Sequence, residues 1–258
     1  MADRRVVAGV AVGVPLAFVG VVAVQALVAT RGEYLPADVG YDVQARVAPA
    51  AGDADAGATP IRMAMLGDST VAGVGSPTVD GSLVVQTAQR VADRTGRPVQ
   101  AWGFGVSGAR TADVRHEQAP QLEAGAFDVV VVVIGSNDTT HATPWWRFDD
   151  ETRSMLASVR DQVGAPVVLG GIPLFGSATA LGRPLRDIVD AYARPLRRAQ
   201  RDAAAQVDGV TFVNIAVEAS PRFRGVPDAM SSDGFHPAPV GYGFWADALA
   251  PAVVSALP

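Results

Sequence analysis

The sequence DVVVVVI at residues 128–134 is followed at once by GSND at residues 135–138. A run of β-branched residues without polar alternation is typical of a strand that is buried on both faces, as in a parallel sheet covered by helices. In open sheets of this kind, reactive and ligand-binding groups gather at the carboxyl ends of the strands. The stretch therefore predicts an α/β fold, and Asn137, just past the strand, becomes a candidate functional residue.

Short apolar runs alternate with longer helix-like segments on both sides of this strand. The predicted strands cover residues 61–66, 99–102, 127–134, 166–169 and 210–213. The predicted helical segments cover residues 82–94, 111–118, 145–163, 185–206 and 242–256. Strands that alternate with helices indicate a parallel sheet covered on both faces. No internal repeat interrupts the pattern, so we expect one catalytic domain over residues 60–258.

The composition bounds the function classes. The chain has 258 residues, of which 49% are hydrophobic and 18% charged, as expected for a globular protein with one sizeable core. It contains no cysteine, which excludes disulfides, a thiolate nucleophile and cysteine-based metal sites. The formal net charge is −5 and no basic run occurs, so we expect no nucleic-acid partner.

The N-terminal segment, residues 1–31, carries an uncharged apolar run from Val6 to Thr30 behind Arg4 and Arg5. About 20 apolar helical residues are enough to cross a bilayer, so the run predicts a transmembrane helix. The two arginines favour a cytoplasmic N-terminus and therefore a catalytic domain outside the membrane. The run is long for a signal peptide, whose apolar region spans about 7–15 residues.

Two alternatives for this segment stay open. A charged start, an apolar stretch and the small residues around Val24-Gln25-Ala26 also fit a cleaved signal peptide, which would give a secreted protein. A buried core helix would need protein on every side of the segment. The following residues 32–59 are rich in Gly, Ala, Asp and Pro, and they predict a flexible linker.

Candidate catalytic groups follow three of the predicted strands. Ser69 ends the sequence GDS directly after the first strand, where its hydroxyl and backbone N–H would lie at the edge of the sheet. Gly108 ends the sequence GVSG after the second strand, where glycine lets a backbone amide approach a ligand. Asn137 could stabilise an oxyanion through its side-chain amide. Each segment, taken alone, is equally well explained as a turn or a helix cap.

The sequence has three histidines that could act as a base, and each has an aspartate three residues before it. The pair Asp233 and His236 lies just before the last helix, where the carboxylate could fix the imidazole tautomer. The pair at residues 113 and 116 falls inside a predicted helix, where such pairs are ordinarily solvated. The pair at residues 138 and 141 also follows a strand end, so the spacing alone leaves His141 as a competitor.

Together the four segments resemble the blocks of the SGNH hydrolase superfamily, the GDSL-like esterases and lipases. Ser69, Gly108, Asn137 and His236 occur in the order of the letters that give the family its name, and Asp233 stands where the family's Asp-x-x-His block lies. The resemblance therefore favours His236 over His141. It implies a flavodoxin-like three-layer α/β/α sandwich with a five-stranded parallel sheet. Thr70 and Gly103 depart from the usual pattern of the family, the second of them shortly before Gly108.

The resemblance implies a serine hydrolase that needs no metal or cofactor and cleaves carboxylic esters of lipids or glycans. Ser69 would be the nucleophile, His236 the base and Asp233 its orienter, with an acyl-enzyme intermediate. The backbone N–H groups of Ser69 and Gly108 and the Asn137 amide would form the oxyanion hole. We expect a monomer that acts outside the cytoplasmic membrane.

Other functions remain to be weighed against this one. An acyltransferase would use the same acyl-enzyme, and a non-catalytic binding protein would keep only the scaffold. The sequence GFGVSG at residues 103–108 matches a dinucleotide-binding pattern, but the next strand does not end in the acidic residue that binds a ribose. Aromatic residues after the strands either line a substrate pocket or pack in the core. These are Trp145, Trp146, Phe148, Phe175 and Phe235.

Overall fold

The computed structural model describes residues 4–50 and 58–257, with side chains described from residue 18 onward. The α-helices among them are α1 (Arg4–Arg31), α2 (Leu83–Thr95), α3 (Thr111–Asp113), α4 (Ser136–Thr140), α5 (Trp145–Val163), α6 (Leu185–Ala204), α7 (Ile215–Glu218) and α8 (Pro239–Ala256). The strands are β1 (Gln44–Val47), β2 (Ile61–Gly67), β3 (Val99–Gly105), β4 (Val129–Val133), β5 (Val167–Gly170) and β6 (Val210–Val213). Short 3₁₀ and π turns connect several of them.

The strands form one mixed sheet in the order β1-β3-β2-β4-β5-β6. β2 to β6 run parallel, whereas β1 pairs antiparallel with β3, Gln44 lying opposite Trp102. The prediction of a five-stranded parallel sheet is therefore wrong, because the sheet has six strands and one antiparallel pair. β1 has only four residues of alternating exposure, and it lies at the edge, where backbone pairing needs no apolar run.

The central strand β4 separates two apolar layers. All five of its valines are buried, and alternate residues point to opposite faces of the sheet. Val129, Val131 and Val133 pack in the cluster that contains α2 and α8. Val130 and Val132 pack in the cluster that contains α5 and the end of α6. The strand is therefore covered on both faces, and polar groups that follow it reach solvent only at its carboxyl end.

Local signals set the ends of the helices. α2 begins after Ser82, whose hydroxyl oxygen accepts a hydrogen bond from the Val85 N–H at 3.4 Å. α2 ends at Gly96 and α5 at Gly164, both in the left-handed conformation that closes a helix. These caps fix where the chain leaves each helix and returns to the sheet.

The N-terminal segment is helical, but the membrane prediction is not supported. In the described part of the chain, no helix is long and apolar enough to cross a membrane. Residues 1–17 of the predicted span lie outside the described side chains. The Gln25 side chain, near the end of α1, donates to the Arg183 carbonyl oxygen and accepts from the Leu185 N–H at 3.0 Å. This end of α1 therefore contacts the domain. The location of the domain outside the membrane and the monomeric state of the protein stay predictions.

Candidate active site

Three of the predicted site residues lie in one hydrogen-bonded series. The Ser69 Oγ atom is 3.0 Å from Nε2 of His236, and Nδ1 of the same ring is 2.6 Å from Oδ2 of Asp233. The side chain of Asp233 is 1% exposed and that of His236 is 9% exposed. A hydroxyl, an imidazole and a carboxylate in this order can activate the hydroxyl as a nucleophile, because the ring takes its proton and the carboxylate fixes the tautomer.

The Asp233 carboxylate is surrounded by donors. Its Oδ1 atom accepts hydrogen bonds from the Ser231 hydroxyl at 2.7 Å, the Phe235 N–H at 2.9 Å and the His236 N–H at 3.0 Å. Burial alone would raise the pKa of Asp233, but the hydrogen bonds from His236, Phe235 and Ser231 together hold this pKa well below its usual range. The group therefore stays ionised beside the imidazole.

Ser69 lies where β2 ends. The loop after it closes on itself, since the Val74 N–H donates to the Ser69 carbonyl oxygen at 3.0 Å and the buried Tyr242 hydroxyl donates to the Val74 carbonyl oxygen. Gly105, at the end of β3, leaves room for this loop: a Cβ atom there would lie 2.1 Å from the Ala72 backbone nitrogen. The end of β3 therefore packs against the loop after Ser69.

The predicted oxyanion donors have different surroundings. In residues 4–50 and 58–257, the backbone N–H groups of Ser69 and Gly108 donate to no backbone carbonyl oxygen. The Asn137 side-chain amide donates to the Ala109 carbonyl oxygen at 3.0 Å, and its amide nitrogen carries a second proton. Asn137 and Ser69 line the same cavity. One proton of Asn137 thus holds the amide in place and the other is available to an oxyanion.

Two further aspartates support the loops. Asp68 accepts from the N–H and the hydroxyl of Thr70, at 3.0 and 2.8 Å. Asp138 accepts from the N–H and the hydroxyl of Thr111, both at 3.0 Å, and so links the Asn137 helix to the loop after β3. Burial raises the pKa of Asp68 and of Asp138, although these hydrogen bonds oppose the shift.

The competing histidines lie away from Ser69. His116 and His141 are both exposed, and the ring of His141 lies with its Nδ1 2.8 Å from the Asn137 carbonyl oxygen. The structure therefore brings only His236 of the three to the hydroxyl. Among the aromatic residues, Phe148 is fully buried in the core, whereas Trp145 and Trp146 are more than half exposed. Phe175 and Phe235 line the cavity beside Ser69.

Two buried glutamines that the sequence did not single out hold the loops. Gln118 donates to the Gly67 carbonyl oxygen at 2.8 Å and accepts from the Gly67 N–H at 2.9 Å. Gln200 donates to the Ile134 carbonyl oxygen at 2.8 Å and accepts from the Ile172 N–H at 2.9 Å. Both lie in predicted helical segments, where a glutamine is ordinarily expected on the surface. The sequence therefore gives no indication that these two side chains are buried.

No metal site accompanies this arrangement in the described ranges. Within residues 4–50 and 58–257, no three or more His, Cys, Asp or Glu side chains are grouped as metal ligands.

Known proteins resemble this chain in sequence. The profile of the GDSL-like lipase/acylhydrolase family matches residues 65–244. The GDSL-like esterase Rv1075c of Mycobacterium tuberculosis (strain ATCC 25618 / H37Rv) is 30% identical over 199 residues, which is 76% of this chain. The chain spans 63% of the length of that relative.

Solved structures share the fold. The lipase Lip_vut3 from a goat rumen metagenome has a TM-score of 0.58 at 18% identity, over 74% of this chain and 97% of its own. A catalytic mutant of the acetylxylan esterase Axe2 from Geobacillus stearothermophilus has a TM-score of 0.56 at 17% identity, over 75% of this chain and 94% of its own. Identities this low establish the fold alone. Because the family profile matches more than half of the chain, from residue 65 to residue 244, the chain belongs to the GDSL-like lipase/acylhydrolase family.

Proposed function

We propose that this protein is a serine esterase that cleaves carboxylic esters through an acyl-enzyme on Ser69. The observation that carries the proposal is the hydrogen-bonded series in which Ser69 Oγ lies 3.0 Å from His236 Nε2 and Asp233 Oδ2 lies 2.6 Å from Nδ1. Its place at the carboxyl ends of parallel strands, in a member of an esterase and lipase family, supports the same function.

In the acylation step, the Ser69 oxygen forms a bond to the acyl carbon while its proton moves to His236 Nε2. The negative charge that develops on the carbonyl oxygen is stabilised by the N–H groups of Ser69 and Gly108 and by the Asn137 amide. The ester C–O bond then breaks, and the leaving alkoxide takes the proton from His236. Because Asp233 is ionised, it stabilises the imidazolium that exists between the two proton transfers.

In the deacylation step, water attacks the acyl carbon and gives a proton to His236. The bond between the acyl carbon and Ser69 breaks, the serine oxygen recovers the proton, and a carboxylic acid leaves. Each cycle consumes one ester and one water and returns the site to its starting state.

The cavity beside Ser69 favours a short acyl chain. Its volume is about 50 Å³, and its walls include Phe175, Phe223, Met230 and Trp245. A cavity needs about 10–15 Å³ of such volume to hold one water, so a cavity of this size accepts only a few carbon atoms. The apolar walls suit an alkyl group rather than a sugar. The proposed substrates are therefore esters of short carboxylic acids, from acetyl to butyryl.

The test is turnover of p-nitrophenyl acetate, butyrate and octanoate by the full chain. We expect acetate and butyrate to be hydrolysed, and Ser69→Ala and His236→Ala to fall to the background rate. His141→Ala is the matched control, because it removes an exposed histidine near Asn137 and should keep the parent rate. A parent that is inert towards all three esters, or a Ser69→Ala variant as active as the parent, would contradict the proposal.

The wall of the cavity offers a second test of the substrate. Met230→Ala removes side-chain atoms from the wall, and an added methylene in an apolar pocket changes specificity by about 10-fold or more. We expect the ratio of octanoate to butyrate turnover to rise by about that factor. An unchanged ratio would exclude this cavity as the acyl site.

A further inference from the structure

The N-terminal arm, defined as residues 32–47, contacts two loops of the site: the loop after Ser69 and the loop that carries Asp233 and His236. Its Leu35 N–H donates to Oδ2 of Asp233 at 3.3 Å, the oxygen that also faces Nδ1 of His236. The other donors to Asp233 come from its own loop, residues 231–236. Among the described residues, Leu35 is therefore the one donor to this carboxylate from outside that loop.

The arm also packs against the residue between the acid and the base. The ring of Tyr34 contacts Phe235 edge to face, with centroids 5.6 Å apart and planes at 76°. The Phe235 ring in turn lies 5.2 Å from the imidazole of His236, again edge to face. Burial, and then the charge of Asp233, raises the pKa of Tyr34, as expected when the phenol lies near that carboxylate.

The arm also contacts the loop that follows Ser69. The hydroxyl of Tyr41 lies 3.1 Å from the carbonyl oxygens of Gly73 and Ser76, to which it donates. Gly73 has a φ of +90°, and a Cβ atom there would lie 2.7 Å from the Tyr41 hydroxyl oxygen. One segment thus contacts both the loop after Ser69 and the loop of Asp233.

Both ends of the arm are fixed. At its C-terminal end β1 pairs with β3, and the Gly103 N–H donates to the Val43 carbonyl oxygen at 2.7 Å. A Cβ atom on Gly103 would lie 2.8 Å from a Val43 methyl group, so the glycine admits the arm at this point. At its N-terminal end, α1 is held by the hydrogen bonds of Gln25 to residues 183 and 185. The departure at Gly103 from the family pattern therefore has a structural reason.

We propose that the N-terminal arm is a positioning element of the triad, and that the Leu35 N–H orients Asp233 and, through it, His236. The proposal rests on the esterase function proposed above. A buried carboxylate with donors on both oxygens cannot rotate without losing a charge-assisted hydrogen bond. Leu35 does not line the cavity beside Ser69, so the expected effect of losing the donor is on turnover rather than on substrate binding.

The test compares Leu35→Pro with Leu35→Ala in the full chain. Proline has no N–H, whereas alanine keeps the donor and loses the side chain. For p-nitrophenyl butyrate we expect Leu35→Pro to lower kcat about 10-fold with KM unchanged, since a hydrogen bond to a charged group is worth about that factor. Leu35→Ala should keep the parent kcat. Equal losses in both variants, or parent kcat in Leu35→Pro, would overturn the proposal.

A second readout keeps the test independent of folding losses and of the esterase function. The downfield proton resonance of the His236 Nδ1–H reports directly on its hydrogen bond to Asp233. We expect its position to be retained in Leu35→Ala and shifted in Leu35→Pro. If the parent hydrolyses no ester, the function fails, yet this resonance still tests the arm.

Tyr41→Phe provides a milder variant should Leu35→Pro not fold. It removes only the hydroxyl that holds the arm to the loop at Gly73 and Ser76. We expect a several-fold loss of kcat with KM unchanged and a shifted His236 resonance. A Tyr41→Phe variant with parent kcat and parent resonance would count against the arm as a positioning element.

Discussion

The two sides of the active site are held by different parts of the fold. Ser69 and Asn137 follow β2 and β4, and buried glutamines fix the main chain at the ends of these strands: Gln118 at Gly67 and Gln200 at Ile134. Asp233 and His236 lie on a loop before α8 that follows no strand directly. That loop is held by its own hydrogen bonds and by the arm from the N-terminal side of the domain.

The difference separates stability from catalysis. A residue that holds a strand end satisfies buried backbone groups, so its loss should lower the free energy of unfolding. A residue that holds the loop of Asp233 and His236 sets the direction of a carboxylate and a ring, so its loss should lower turnover while most of the fold remains. Four predictions test this contrast, beginning with the largest effect.

Asp233→Asn should reduce kcat by about 10⁴-fold, because a neutral amide no longer fixes the imidazole tautomer or stabilises its positive charge. The measurement is the steady-state hydrolysis of p-nitrophenyl butyrate. Asp113→Asn is the control, since it changes the aspartate of another Asp-x-x-His pair whose histidine is exposed. Equal activity of the two variants would place the base elsewhere.

Asn137→Ala should reduce kcat by about 10²- to 10³-fold through the loss of one oxyanion donor. Thr140→Val, on the same short helix but with an exposed side chain, should keep the parent rate. The same assay measures both variants. A loss confined to KM would mean that Asn137 binds the ester in the ground state and does not stabilise the oxyanion.

Gln118→Met should lower the free energy of unfolding by about 1–3 kcal/mol for each Gly67 backbone group that it leaves unpaired. Urea unfolding measures the change. Gln121→Met is the matched control, because Gln121 is exposed and donates only to the Glu117 carbonyl oxygen of its own turn. Equal unfolding free energies for the two variants would remove the role assigned to the buried glutamine.

The smallest effect is a dependence of stability on pH. Because the folded-state pKa of Asp233 is below its ordinary value, the ionised group stabilises the fold above pH of about 4, and the stabilisation is lost as pH falls through the folded-state pKa. The parent should therefore be more stable than Asp233→Asn at pH 7, with a difference that narrows on acidification. Asp68, whose pKa burial raises, should give the opposite slope when Asp68→Asn is compared with the parent. Parallel pH curves for the parent and Asp233→Asn would contradict the assignment.

The sequence predicted the parts of the fold that depend on strong local patterns. The valine run of β4, the helix from Trp145 to Val163 and the strand–helix alternation follow from burial and periodicity, and the structure has them. β1 was missed, since a four-residue edge strand is held by backbone pairing and carries no apolar signal. The transmembrane prediction was based on the apolar run in the N-terminal segment, and the described residues do not support it.

The candidate site could be predicted from the sequence because its residues follow strand ends and match the sequence blocks of the family. Ser69 and Asn137 could be placed at one sheet edge because each directly follows a predicted strand. The choice of His236 over His141 needed the resemblance, because both have an aspartate at the same spacing. Leu35 could not be predicted, because it contacts Asp233 through its backbone N–H, which any residue except proline has. Gln118 could not be predicted, because a glutamine in a helical segment is ordinarily expected on the surface.

The most direct test of the central claim is covalent labelling of the full chain with diethyl p-nitrophenyl phosphate. The claim is that Ser69 is the nucleophile that His236 and Asp233 activate. It predicts release of one p-nitrophenolate per chain, one diethylphosphoryl group in the intact mass, and that group on the peptide containing Ser69. Ser69→Ala should stay unlabelled. Labelling of another residue, or equal labelling of Ser69→Ala, would contradict it.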